Sequence, residues 1–155
     1  MKKCSVIGII AGLGLIGVAN AADISIYYSP SCPHCHHARD FFRNNLIYEF
    51  PSIKISEVNV TKSENQDVFM DTLKKCEYES GGVPVIVIGE KCFQGYADYM
   101  QNELRDAVAI DLSDTEKQFA TEVQEKMKTD ADKYRSENSD KVAKISEYVS
   151  ESKKK

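Results

Sequence analysis

Two cysteines, three positions apart, lie where a predicted strand ends and a predicted helix begins. The segment Ile24–Tyr28 is apolar and β-prone, and Ser29-Pro30-Ser31 ends it. Cys32-Pro33-His34-Cys35 follows, and apolar residues at helical spacing come directly after it. Two cysteines at this spacing form a local pair that can switch between dithiol and disulfide.

The position of this pair at the start of a helix predicts thiol chemistry. Free backbone N–H groups and the helix dipole stabilise a thiolate at Cys32 and so lower its pKa. Pro33 suits the first helical turn because it has no N–H to lose, and protonated His34 adds positive charge beside the same sulfur. Cys35 is then the resolving thiol, which breaks a mixed disulfide formed on Cys32.

Two other interpretations of the cysteine pair stay open. The pair is a structural disulfide, or it is half of a metal site with His36 and His37 as further donors. A zinc site of the common kind needs a second pair at ligand spacing, whereas Cys76 and Cys92 are sixteen residues apart. We therefore predict no metal and no organic cofactor.

The first 21 residues have the pattern of a signal peptide. Lys2 and Lys3 form a basic start, Val6–Val18 is apolar or glycine, and Ala19-Asn20-Ala21 is a cleavage pattern of small residues. The apolar run is shorter than the roughly 20 residues that a membrane span needs. We predict cleavage after Ala21, export to an oxidising bacterial periplasm and no membrane span in the mature chain. The alternative is an uncleaved anchoring segment.

The mature chain divides into a domain, 22–110, and a tail, 111–155. The domain has the predicted order β-α-β-α-β-β-α, with strands at 24–28, 53–60, 85–88 and 91–94 and helices at 36–47, 63–76 and 96–108. The tail is highly charged and lacks Gly, Pro and Cys. Ser113 and Glu116 form a capping-box pattern before a thin apolar stripe that includes Phe119, which predicts a mostly helical tail over 113–149. This tail packs on the domain, binds a partner or self-associates, or is disordered.

The sequence resembles the thioredoxin superfamily, and within it the glutaredoxin-like branch. The segments that carry the resemblance are Tyr27–Cys35, Gly82–Ile88 and Gly95-Tyr96-Ala97-Asp98, and it covers about residues 23–110. The Pro33-His34 pair between the cysteines is similar to that of the DsbA-type periplasmic oxidases. The resemblance implies an α/β fold of the thioredoxin/glutaredoxin type, with a central mixed sheet, to which the tail adds a C-terminal helical extension.

The resemblance also implies roles for individual residues. In this superfamily the proline that matches Pro84 is cis and faces the active-site disulfide, and Val83 offers its backbone to a bound peptide or thiol. Gly95 and Asp98 fall where glutaredoxins hold the γ-glutamyl end of glutathione. Glutathione is therefore a candidate co-substrate.

Two further cysteines remain in the mature chain. A glutaredoxin-like arrangement would bring Cys76, at the end of the second helix, towards Cys92 on the last short strand. A structural disulfide between them is then the leading interpretation. A second redox relay pair and two separate free thiols are the alternatives.

We therefore predict an exported thiol–disulfide oxidoreductase that acts on protein substrates, with an unidentified redox partner restoring the pair. Oxidase, isomerase and reductase share these parts, so the sequence leaves the direction open. The net charge of −4 excludes nucleic-acid binding as a main function, because that needs clustered cations. The alternatives are a glutathione-linked disulfide reductase and a non-catalytic, partner-binding module with a structural disulfide.

Overall fold

The computed structural model describes residues 22–150, so the predicted signal peptide lies outside the described residues. A five-stranded sheet forms the centre, in the order β4-β3-β1-β2-β5. The strands are β1 (Asp23–Tyr28), β2 (Lys54–Asn59), β3 (Val85–Ile88), β4 (Lys91–Gln94) and β5 (Ile145–Glu147). Strands β1, β2 and β5 run parallel, whereas β3 is antiparallel to both β1 and β4. The predicted α/β fold with a mixed central sheet is confirmed.

Helices cover both faces of this sheet. They are α1 (Pro33–Phe41), α2 (Ile47–Glu49), α3 (Gln66–Lys75), α4 (Gln101–Ala109) and α5 (Asp114–Glu137). A π-helical segment, Phe42–Leu46, makes α1 and α2 continuous, and 3-10 turns at Ser63–Asn65 and Asp98–Met100 precede α3 and α4. Among residues 22–150, no helix is both long enough and apolar enough to cross a membrane.

The alternation of side chains along the strands divides the interior into two clusters. Ile24 and Ile26 of β1 point to the larger cluster, where the sheet meets α1, α4 and α5. Tyr27, between Ile26 and the strand end, points to the other face and packs against α3. Both faces of β1 are thus buried, and the chain leaves the sheet at a fixed place just before Cys32.

Part of the tail belongs to the larger cluster. Ala120, Val123 and Met127 of α5 are buried there, against the sheet and the preceding helices. The helix starts with the predicted capping box, in which the Glu116 N–H donates to Ser113 Oγ and the Glu116 carboxylate accepts from the Ser113 N–H. The hydrogen bond from the Ser113 backbone lowers the pKa of Glu116.

The prediction of a mostly helical segment over 113–149 is confirmed, but the α-helix itself ends at Glu137. The chain there forms a 3-10 helix, Ser139–Lys144, and then β5, whose Ile145 pairs with Ile55 of β2. The open edge of β2 offers the backbone partners that this short apolar segment takes up. Val142 lies in this 3-10 helix, Ile145 lies in β5, and Val149 is exposed, so these three apolar residues do not share one helical face.

The helix α5 also bends once, and its predicted apolar stripe is not wholly buried. Asp130 has φ −154° and ψ 84°, and its carboxylate accepts a hydrogen bond from the Lys133 N–H at 3.1 Å. An aspartate in that position caps a new helical segment, so the second part of α5 runs at a different angle. Phe119, which the stripe placed inside, is 38% exposed.

Replacing Met127 by alanine tests whether the tail shares the cooperative core. Met127 is 8% exposed, so we expect Met127→Ala to lower the free energy of unfolding by about 2–3 kcal/mol, measured by urea denaturation. Met70 of α3 is 49% exposed and is the matched control, with an expected change below about 0.5 kcal/mol. Equal effects of the two substitutions would contradict a tail that is part of the core.

Candidate functional site

The disulfide between Cys32 and Cys35 lies where β1 passes into α1. Cys32 is the residue that caps α1, and its N–H donates to the Ser29 carbonyl oxygen at 3.1 Å, which closes a tight turn after the strand. The Cα atoms of the two cysteines are 5.2 Å apart. The Cys35 N–H points at Cys32 Sγ from 3.1 Å. A backbone dipole is therefore directed at the sulfur on which a thiolate would form.

The two sulfurs differ in how far a second molecule can reach them. Cys32 is half-buried, whereas Cys35 is only 1% exposed and packs beneath the helix. Pro33 and His34 between them are both exposed. Only Cys32 is thus open to attack from outside, and Cys35 is placed behind it, within reach of the Cys32 sulfur.

A loop with a cis proline faces this sulfur from the other side. The Val83–Pro84 peptide bond is cis, and the Val83 carbonyl oxygen lies 3.6 Å from Cys32 Sγ. Pro84 is buried, and its own carbonyl oxygen accepts a hydrogen bond from the Gly95 N–H at 2.8 Å. The structure therefore brings Cys32, Cys35, Val83 and Pro84 together in one site.

Gly95 and Asp98, the two residues predicted to bind glutathione, follow β4. Gly95 has φ 84°, a conformation that favours glycine, and it turns the chain next to Pro84. Asp98 is exposed, and its Oδ1 accepts a hydrogen bond from the Tyr96 hydroxyl at 3.3 Å. Gly95 thus touches the site through the backbone, while Asp98 offers an exposed carboxylate one short turn further on.

The remaining two histidines of α1 lie on its exposed surface. His36 and His37 are exposed, and His36 Nε2 lies 2.7 Å from the Pro30 carbonyl oxygen. Within residues 22–150, no three His, Cys, Asp or Glu side chains converge as ligands for a metal ion.

The second cysteine pair forms a disulfide as well. Cys76 and Cys92 have an S–S distance of 1.99 Å and a Cα separation of 5.8 Å. The bond joins the last turn of α3 to β4. The segment between them, which carries Val83 and Pro84, is therefore part of a covalently closed loop. Cys76 and Cys92 are both half-buried.

A buried ion pair beneath α1 is the main feature that sequence reasoning missed. The Glu57 side chain is 5% exposed, and its carboxylate accepts from Arg39 at 2.7 Å and from Arg43 at 3.2 Å. The hydrogen bond with Glu57 raises the pKa of Arg39. The available signal was that Glu57 continues the alternating series of Ile53 and Ile55, which face the interior, because a buried carboxylate requires a partner.

Arg39 connects this ion pair to the strand that precedes the cysteines. Its guanidinium lies 4.0 Å from the centre of the Tyr28 ring, a cation–π contact. The Tyr28 hydroxyl donates to the Glu147 carboxylate of β5 at 3.1 Å. Burial, and then the hydrogen bond with Glu147, raise the pKa of Tyr28. The end of β1, the helix α1 and the strand β5 are therefore joined by one polar cluster.

Comparison with known proteins supports the assignment of this fold. Residues 24–93 match the glutaredoxin family model. The match runs from β1 to β4, so it contains Cys32, Cys35 and Pro84 and ends before Gly95 and Asp98. We refer to this part of the chain as the glutaredoxin-like domain.

One solved structure to which this chain is similar is the glutaredoxin grx-1 of Archaeoglobus fulgidus. It is 23% identical in sequence, with a TM-score of 0.42, and the alignment covers 57% of this chain and 88% of that one. Among curated proteins, no sequence matches this chain significantly.

The second disulfide of the glutaredoxin-like domain should contribute to stability. It links positions sixteen residues apart, so replacing both Cys76 and Cys92 by serine should lower the free energy of unfolding by about 3 kcal/mol. The matched control replaces both Cys32 and Cys35 by serine. That change opens a loop of only three residues and should cost less. Urea denaturation measures both, and a larger loss from the control would contradict the expectation.

Proposed function

We propose that this protein exchanges disulfides with protein substrates through Cys32. The observation that carries the proposal is the asymmetry of the cysteine pair. Cys32 is accessible at a helix start, Cys35 is shielded behind it, and the Val83 carbonyl borders the accessible sulfur at 3.6 Å. A purely structural disulfide has no need for one accessible sulfur beside a backbone acceptor.

The exchange proceeds in two steps, written here for reduction of a substrate. The Cys32 thiolate attacks a substrate disulfide, whose S–S bond breaks as the Cys32–substrate bond forms, and the departing substrate thiolate takes a proton from water. Cys35 loses its proton to water and attacks Cys32 Sγ, which breaks the mixed disulfide and forms the Cys32–Cys35 bond. The second substrate thiolate, released in this step, also takes a proton, so the substrate gains two electrons and two protons. The pair supplies both electrons and the Cys35 proton, and water supplies the other proton.

The reverse sequence oxidises a substrate dithiol and reduces the pair. A separate redox partner, a thiol or a disulfide, then restores the starting state. The local geometry serves either direction, because the Cys35 N–H and the start of α1 stabilise the Cys32 thiolate both as a nucleophile and as a leaving group. The reduction potential of the pair relative to that partner decides the direction.

We also propose that the chain works after export, in a periplasm. The support is the basic, apolar and small-residue pattern of residues 1–21, together with two disulfides in the rest of the chain. Disulfides persist in that oxidising compartment.

Trapping the mixed disulfide tests the proposed exchange. In Cys35→Ser the resolving thiol is absent, so incubation with a peptide that contains one disulfide should leave a mixed disulfide on Cys32, detected by intact mass. Cys32→Ser is the matched control, because the remaining Cys35 is only 1% exposed and should trap little. If neither variant traps the peptide and the wild type does not reduce it, the protein is a non-catalytic module.

Glutathione is the rival co-substrate, and the exposed Asp98 carboxylate is the observation in its favour. The same trapping experiment, carried out with oxidised glutathione instead of the peptide, separates the two proposals. A glutathione-linked enzyme should trap glutathione faster than the peptide, and Asp98→Asn should slow that reaction alone.

Processing of the N-terminus tests the proposed location. In a bacterial host, the mature protein should begin at Ala22 and appear in the periplasmic fraction, as determined by intact mass. Replacing Ala19 and Ala21 by glutamate removes the small residues that the peptidase requires, so residues 1–21 should then remain. Unprocessed wild-type protein in the cytoplasmic fraction would contradict the proposal.

A further inference from the structure

The loop that presents Val83 is held mainly by the end of β4. This loop, residues 77–84, joins α3 to β3, and its middle is exposed and contains two adjacent glycines, Gly81 and Gly82. Glycines allow many backbone conformations, so a loop of this composition needs external contacts to keep one shape.

Gln94, the last residue of β4, supplies such contacts. Its side-chain Nε2 donates to the carbonyl oxygens of Ser80, at 2.8 Å, and of Gly82, at 3.1 Å. The next residue, Gly95, donates its N–H to the Pro84 carbonyl at 2.8 Å. Three alternate carbonyls of the loop are therefore bonded to the end of β4.

This pattern fixes where the intervening carbonyl points. The carbonyls of Gly82 and Pro84 are both held towards β4, and the Val83 carbonyl between them lies instead 3.6 Å from Cys32 Sγ. The amide of Gln94 thus determines the direction of the backbone group that borders the reactive sulfur, although Gln94 itself is exposed and does not touch that sulfur.

We infer that Gln94 is a positioning residue that makes the site selective for peptide substrates over small disulfides. The inference rests on the proposed function and goes further, because it says which substrates the loop discriminates. A peptide that pairs with the Val83 backbone benefits from a loop already held in the binding conformation, since no ordering entropy is then lost on binding. A small disulfide needs only the Cys32 sulfur and gains nothing from the loop.

Two substitutions separate the hydrogen bonds from the size of the side chain. Gln94→Glu keeps the length but has no N–H to donate, and Gln94→Ala removes the whole group. Lys91→Ala, at another exposed position on β4, is the matched control. Each protein is assayed for reduction of a peptide disulfide and of hydroxyethyl disulfide, and the potential of the Cys32/Cys35 pair is measured against glutathione.

We expect both Gln94 variants to raise KM for the peptide about tenfold, because two hydrogen bonds of ordinary strength are lost. Their kcat, their activity on hydroxyethyl disulfide and the potential of the pair should stay close to those of Lys91→Ala. A parallel loss on both substrates, or a shifted potential, would show that Gln94 is merely structural, and an unchanged KM would also overturn the inference. Failure of the wild type on both substrates would instead overturn the proposed function itself.

Discussion

The buried carboxylate of Glu57 holds the helix α1 and its π-helical extension on the sheet. Its two arginine partners, Arg39 and Arg43, lie on successive turns of the helical segment that begins beside Cys32, and Arg39 also contacts the Tyr28 ring. Because two arginines share the buried Glu57 carboxylate, its charge stays compensated from two positions along this helical segment. The cysteine pair therefore takes its position from an ion pair one and two helical turns away.

Elements with a strong local pattern could be predicted from the sequence. The β-branched run Val85–Ile88 forms a strand with the predicted bounds, and the capping box at Ser113 starts a helix where expected. These patterns involve only a few neighbouring residues, so the structure they favour does not depend on tertiary contacts. The pairing of Cys32 with Cys35 could be predicted in the same way, because residues three positions apart at the start of a helix lie close enough to form a disulfide.

Features that depend on distant partners could not be predicted. The segment at Ile145 has no strand-like alternation of its own and becomes a strand only because β2 leaves an edge open. The pairing of Glu57 with Arg39 depends on which face of β2 meets α1, and the contact of Gln94 with Ser80 depends on where a glycine-rich loop folds back. In each case tertiary context decides among local conformations that the sequence alone leaves nearly equal in free energy.

The position of β5 in the chain has a consequence for biosynthesis. Ile145 pairs with Ile55, 90 residues earlier, so this edge of β2 has no strand beside it until residue 145 has emerged. An open strand edge is a template for pairing with another chain, and contacts this distant in sequence form slowly. The newly made protein is therefore most prone to aggregation until β5 has been synthesised, and a chaperone that covers this edge of β2 would be most useful in that interval.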